Sequence, residues 1–157
     1  MKTKILILSF LLVHATATLC LAESETMMMG VWKLNETKSK FAPGATRNHK
    51  VTYSMEGKEL RIMTEGVDKD GKPTRSVWTG RFDERDYLVA LDPSQDTRSY
   101  KQIDPNTLEF ITKKESQVIA TGRVVFSADG KTRTVTTTGT APDGTKYENV
   151  AVYEKEK

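Results

Sequence analysis

The sequence predicts an all-β domain: an antiparallel up-and-down meander of about ten strands, eight at the fewest, closed into a single barrel. Turn signals recur at intervals of about 10–14 residues from Glu56 to Thr145. Between them the chain is rich in Thr, Val, Tyr and Ile and alternates with period 2, as half-buried strands do. An open sheet of ten long strands would also leave two edges exposed, and closure removes both.

The elements follow in order. Gly30 to Asn35 forms an opening strand, and Thr37 to Phe41 fits a short helical turn before Pro43-Gly44. Eight turns then separate nine strands: Glu56-Gly57-Lys58, Asp70-Gly71-Lys72, Asp83-Glu84-Arg85, Asp92-Pro93-Ser94, Asp104-Pro105-Asn106, Glu115-Ser116-Gln117, Asp129-Gly130-Lys131 and Asp143-Gly144-Thr145. Asp-Gly supplies the positive φ of a tight hairpin, and Asp-Pro or Pro-Asn initiates a turn. Leu60, Ile62 and Thr64 alternate with Arg61, Met63 and Glu65, and Leu108 and Phe110 flank Glu109. A β-sandwich also accommodates this pattern. A propeller would need a repeat of about 40–45 residues, and none is found. An outer-membrane barrel would need an apolar outer band, whereas Lys131 to Thr140 carries Thr, Arg and Lys.

The chain has 157 residues, 37% apolar, with one Cys and a formal charge of +3. That is the size of one domain. Apolar residues crowd the first 22 positions, where Lys2 and Lys4 precede the apolar run Ile5 to Val13 and Cys20-Leu21-Ala22 offers small residues for cleavage. Residues 1–22 therefore read as a secretory signal peptide and 23–157 as the barrel domain, exported to the periplasm or secreted after cleavage near Ala22. The run is short of the roughly 20 residues of a membrane span, so none is expected in the mature chain. Leu19 before Cys20 argues against a lipoprotein site. Without the leader, 22 basic residues face 21 acidic ones, which leaves no electrostatic footprint for nucleic acid. The mature domain, without cysteine, is held by packing and hydrogen bonds alone and is expected to be a monomer.

Gly30-Val31-Trp32-Lys33-Leu34 resembles the Gly-x-Trp opening strand of the lipocalin and fatty-acid-binding (calycin) barrels, and Val152-Tyr153-Glu154-Lys155 resembles the closing strand of the latter. Gly30 to Phe41 is also similar to the opening of uncharacterised exported bacterial proteins. The resemblance implies a ten-stranded barrel with Gly30 and Trp32 as its structural signature and a ligand held inside. Two departures bear on the ligand. Ala151 stands where fatty-acid-binding proteins carry a carboxylate-holding Arg, and only about a dozen residues join the first two strands, too few for their two-helix lid.

Candidate catalytic groups are sparse. The mature chain has one histidine, His49, so a metal site or a His-dependent nucleophile would rest on it; a solvated strand end is the simpler place for it. Asp129-Gly130-Lys131-Thr132 lacks the upstream Gly and following helix of a phosphate loop, and Asp68-Lys69-Asp70-Gly71 runs into Lys72-Pro73 rather than calcium ligands. Neither a cofactor nor catalysis is expected. An enzyme would need two interior carboxylates, or a carboxylate beside His49.

With Trp32 and Leu34 inward, strand parity sends Val51, Tyr53 and Met55; Leu60 and Ile62; Trp78 and Phe82; Tyr87, Val89 and Leu91; Leu108 and Phe110; Val124 and Phe126; Val135; and Tyr147, Ala151 and Tyr153 to the interior. The same parity carries in Arg98, Tyr100, Thr112 and Arg133. Tyr53, Trp78, Tyr100 and Tyr153 then line a site for a small hydrophobic or amphipathic ligand, with Arg98 or Arg133 holding an anionic end. The alternative is a filled, non-catalytic barrel that acts through its surface on an envelope or protein partner. An interior void above about 300 Å³ separates the two.

Overall fold

The computed structural model describes residues 27–141 and 143–157; the expected signal segment, 1–22, lies outside them. The strands are β1 (Gly30–Leu34), β2 (Arg47–Glu56), β3 (Glu59–Val67), β4 (Pro73–Gly80), β5 (Tyr87–Ala90), β6 (Thr97–Asp104), β7 (Thr107–Lys114), β8 (Gln117–Phe126), β9 (Thr132–Thr140) and β10 (Lys146–Lys155), with a 3-10 turn at Glu36–Lys38 after β1. Every neighbour in the chain is a neighbour in the sheet, and β1 pairs with both β2 and β10 to close an all-antiparallel barrel. The sandwich is excluded.

Local chemistry explains the turns. In six of them an Asp carboxylate accepts the backbone N–H two residues on: Asp68 from Asp70, Asp83 from Arg85, Asp92 from Ser94, Asp104 from Asn106, Asp129 from Lys131 and Asp143 from Thr145, all at 2.8–3.2 Å. These are Asx turns. In the β3–β4 turn the working residue is Asp68, two before the expected Asp70. The two Glu-led turns differ: Gly57 supplies positive φ in one, while Glu115 and Ser116 both adopt it in the other. There Asp96 of the adjacent loop accepts the Glu115 N–H at 2.6 Å. Asn35 caps the 3-10 turn, its side chain accepting from the Lys38 N–H at 3.1 Å.

Closure depends on the opening strand. Gly30 has φ +105°, a conformation that side chains rarely adopt. Trp32 sits opposite Val51 on one side and Lys155 on the other. It is fully buried, and its indole N–H donates to the Met28 carbonyl at 2.9 Å.

Inside the barrel, three aromatic rings lie across facing glycines. A Cβ on Gly80 would come within 2.5 Å of the Tyr87 ring, on Gly122 within 2.4 Å of Phe110, and on Gly139 within 2.5 Å of the Tyr147 hydroxyl. The missing side chains make room for the rings where the sheet bends round. The inward set matches parity except at Leu91. β5 ends at Ala90, and Leu91 turns left-handed (φ 67°), which breaks the alternation and leaves it 64% exposed. Met55 reaches a barrel mouth and is half-exposed.

The two ends differ. We call lower the end with turns 57–58, 81–86, 105–106 and 127–131, and upper the end with loops 35–46, 68–72, 91–96, 115–116 and 141–145. The lower half is filled by large side chains, with Trp32, Phe126, Met28 and Leu108 fully buried. Gly80→Ala is expected to lower the urea midpoint by the equivalent of about 1–3 kcal/mol, the usual cost of overpacking. In a Tyr87→Ala background that cost should nearly vanish, because Tyr87 supplies the nearest atoms. A double-mutant cycle measures this coupling.

Candidate functional site

The upper half has a different lining. The paired inward positions there are Thr64 and Ser76, Thr112 and Ala120, and Thr137 and Asn149. They are small and mostly polar. Solvent reaches several of them, since Thr64, Val135, Thr137 and Asn149 are all partly exposed although they face inward. Phe41, from the loop after β1, is partly buried and packs against the core. An open groove of about 540 Å³ runs over the upper rim along β8, β9 and β10, lined by inward Ala120, Gly139 and Tyr147 and by outward Thr121, Thr138 and Glu148; neither Arg98 nor Arg133 borders it.

Two guanidinium groups face the barrel interior, Arg98 in its upper half and Arg133 in its lower half, two residues past the 127–131 turn. Arg133 at the start of β9 is 4% exposed. It donates to the Tyr53 hydroxyl at 2.6 Å and lies 4.3 Å from the Tyr153 ring centroid, 5.1 Å from that of Tyr53 and 5.7 Å from that of Trp32. These rings hold the cation through their π faces. Its Nε–H has no hydrogen-bond partner among the described residues. Arg98, on β6, is more fully bonded: Nε to Thr112 Oγ1 at 3.0 Å, one terminal nitrogen to the Tyr100 hydroxyl at 3.4 Å, the other to Gln95 Oε1 at 2.9 Å. Gln95 is buried and donates in turn to Asp92 at 2.5 Å. Among the described residues no Asp or Glu is buried. The interior therefore carries positive charge without an internal counter-ion.

Burial pushes the Tyr53 hydroxyl up to about 12, a rise that the nearby Arg133 charge only partly offsets and to which the neighbouring Tyr100 and Tyr153 add; Arg98 also lowers it. Burial likewise raises Tyr153, against the pull of Arg133. Both phenols are neutral near pH 7. Because Tyr53 accepts its hydrogen bond from Arg133, its own O–H remains able to donate. A carboxylate placed here would meet a phenol donor and a guanidinium N–H together.

The six residues singled out from sequence all face the interior, in two groups. Tyr53, Arg133 and Tyr153 gather round the first guanidinium. Arg98, Tyr100 and Trp78 gather round the second. The Trp78 indole N–H donates to the Arg98 carbonyl at 2.8 Å, and its ring stacks on Phe82 and meets Tyr100 edge-on. Trp78 thus belongs to a packed aromatic layer with Phe82, Tyr87 and Tyr100. Sequence reasoning missed Gln95, which reaches Arg98 from a loop where period 2 gives no guidance. It also missed the Thr64–Ser76 hydroxyl pair at 2.7 Å.

Elsewhere the polar groups serve the outer wall. Lys50–Glu65, Arg123–Glu109 and Lys101–Glu84 ion pairs face outward. His49 lies 3.5 Å from Glu36, both half-exposed, and Glu36 also pairs with Arg47. Among the described residues no group of His, Cys, Asp or Glu could hold a metal ion, and no helix is long and apolar enough to cross a membrane.

No family model matches the chain, and no curated protein matches it. Among solved structures it is similar to a redesigned β-barrel, mFAP1, bound to DFHBI: 14% identity over 84% of this chain and 98% of that one, with a TM-score of 0.45.

The phenols supply a pH test. Stability from burying neutral Tyr53 is fully present below pH 10, where the unfolded phenol is also protonated. It is lost as the pH rises from about 10 to about 12, by about 3 kcal/mol. Denaturant melts across this window should show the fall, and Tyr53→Phe should flatten it.

Proposed function

We propose that the protein is exported by its leader and binds a small amphipathic anion inside the barrel, with its charged end at Arg133. The supporting observation is Arg133, a buried guanidinium with an unpartnered Nε–H in an interior without a buried carboxylate. An unpaired buried charge costs several kcal/mol, and the three surrounding rings return about 0.5–2 kcal/mol each. A bound carboxylate or sulfonate supplies the missing partner. The apolar part of the ligand lies against Val135, Ala151 and Val51, and Arg98 stands ready if Gln95 yields its place. Binding needs no cofactor. The ligand class follows from the donors: an anion of one charge with a short apolar body.

The second reading, a filled barrel acting through its outer surface, draws on the packed lower half. Arg133→Met separates the two. If the guanidinium is kept for a ligand, this isosteric apolar change should leave the urea midpoint unchanged or raise it, by up to about 4 kcal/mol. It should also weaken binding of medium-chain and aromatic carboxylates about 10- to 100-fold, as loss of charge-assisted hydrogen bonds does. Quenching of Trp32 and Trp78 fluorescence measures the binding. A loss of about 3–5 kcal/mol in stability, with no carboxylate bound by the unaltered protein, would favour the surface reading.

A further inference from the structure

We propose a second binding site, at the lower mouth, that takes a small amphipathic anion in a side cleft of the barrel wall. The wall is thinnest at β5. This four-residue strand pairs through two residues with β4 and two with β6. Below it the 81–86 loop is tied to β6 by the Asp83–Lys101 bridge and by the Glu84 N–H donating to the Tyr100 carbonyl at 3.0 Å. A cleft of about 380 Å³ opens in this gap, within the size range of small-ligand sites.

Its floor is apolar and its rim is cationic. Leu60, Phe82 and Met55 line the floor. Phe82 is stacked on Trp78, with centroids 6.2 Å apart and planes within 13°, so a flat face is presented on a rigid support. Met55 leaves 49% of its surface exposed there. Lys58 and Arg81 stand on the rim, and neither has an ion-pair or hydrogen-bond partner among the described residues. The carboxylate at the rim, Asp83, is already engaged. It accepts from the Tyr87 hydroxyl at 3.0 Å and the Arg85 N–H at 3.2 Å, with the Arg85 guanidinium 3.8 Å away. Two unspent cations over an apolar floor select a ligand with one anionic end and an aromatic or short aliphatic body.

This site is distinct from the one at Arg133: neither Arg133 nor its neighbours Tyr53, Tyr153 and Trp32 line the cleft. The chemistry differs too: the Arg133 guanidinium is buried, while Lys58 and Arg81 are exposed. Attraction by exposed charges is screened by salt, so the cleft is the salt-sensitive site.

The test uses 8-anilinonaphthalene-1-sulfonate, an amphipathic aromatic anion whose emission rises and shifts to the blue on an apolar surface. The protein should bind it. Lys58→Glu with Arg81→Glu should weaken that binding about tenfold, the combined effect of two surface charge interactions reversed. Raising the salt to about 0.5 M should weaken it in the same direction. Phe82→Ala should reduce the emission change, with an unchanged far-ultraviolet dichroism spectrum showing that the barrel persists. Arg133→Met, which does not touch the cleft, should leave the signal as it is. The proposal is overturned if the dye does not bind, if the double charge reversal leaves its affinity unchanged, or if Arg133→Met removes the signal. The last result would place the dye at Arg133 and leave the proposal for that guanidinium standing.

Discussion

One five-residue strand carries the architecture. β1 pairs with β2 on one side and β10 on the other, turning a ten-strand meander into a barrel without edges. A domain lean in apolar residues depends on this, because closure buries one face of every strand and asks little of the other. Trp32 stands at the seam, fully buried, with Met28 accepting from its indole N–H and the Lys155 ammonium 5.2 Å from its ring centroid. The left-handed Gly30 brings the chain into that position. Without the seam, the interior positions of the other strands would have nothing to face.

Closure also fixes what the interior must tolerate. Period 2 carries Arg98 and Arg133 inward along with their apolar neighbours, and the two are handled differently. Arg98 is satisfied by Thr112, Tyr100 and Gln95. Arg133 is held mostly by aromatic faces and one phenol, and its Nε–H is left over. Large side chains fill the lower half and small polar ones line the upper half. The unsatisfied donor lies in the lower half among the rings of Tyr53, Tyr153 and Trp32, one inward position below the partly exposed Val135.

Much of the fold could be read from the sequence because its signals are local. Asp-led turns act through a carboxylate and an N–H two residues apart, and strand parity needs only the alternation around Leu60, Leu108 and Val124. Parity failed at Leu91, where a left-handed backbone ended β5 and the period with it. The site was legible only as a set of inward residues. Which of them meet depends on register between strands distant in the chain: Tyr53 and Arg133 are 80 residues apart. Gln95 reaches Arg98 from a loop. The cleft beside Phe82 exists because β5 is short, and its length depended on pairing on both sides rather than on its own residues.

The Arg133 Nε–H resonance in a proton–nitrogen correlation spectrum, followed during titration with a medium-chain carboxylate such as octanoate, tests the central claim most directly. A donor awaiting an anion should shift downfield and saturate at one ligand per protein, with its exchange with water slowed as the hydrogen bond forms. If the resonance stays in place while octanoate saturates the protein, or if no saturable binding occurs, Arg133 is a packing element of a filled barrel and the anion site assigned to it does not exist.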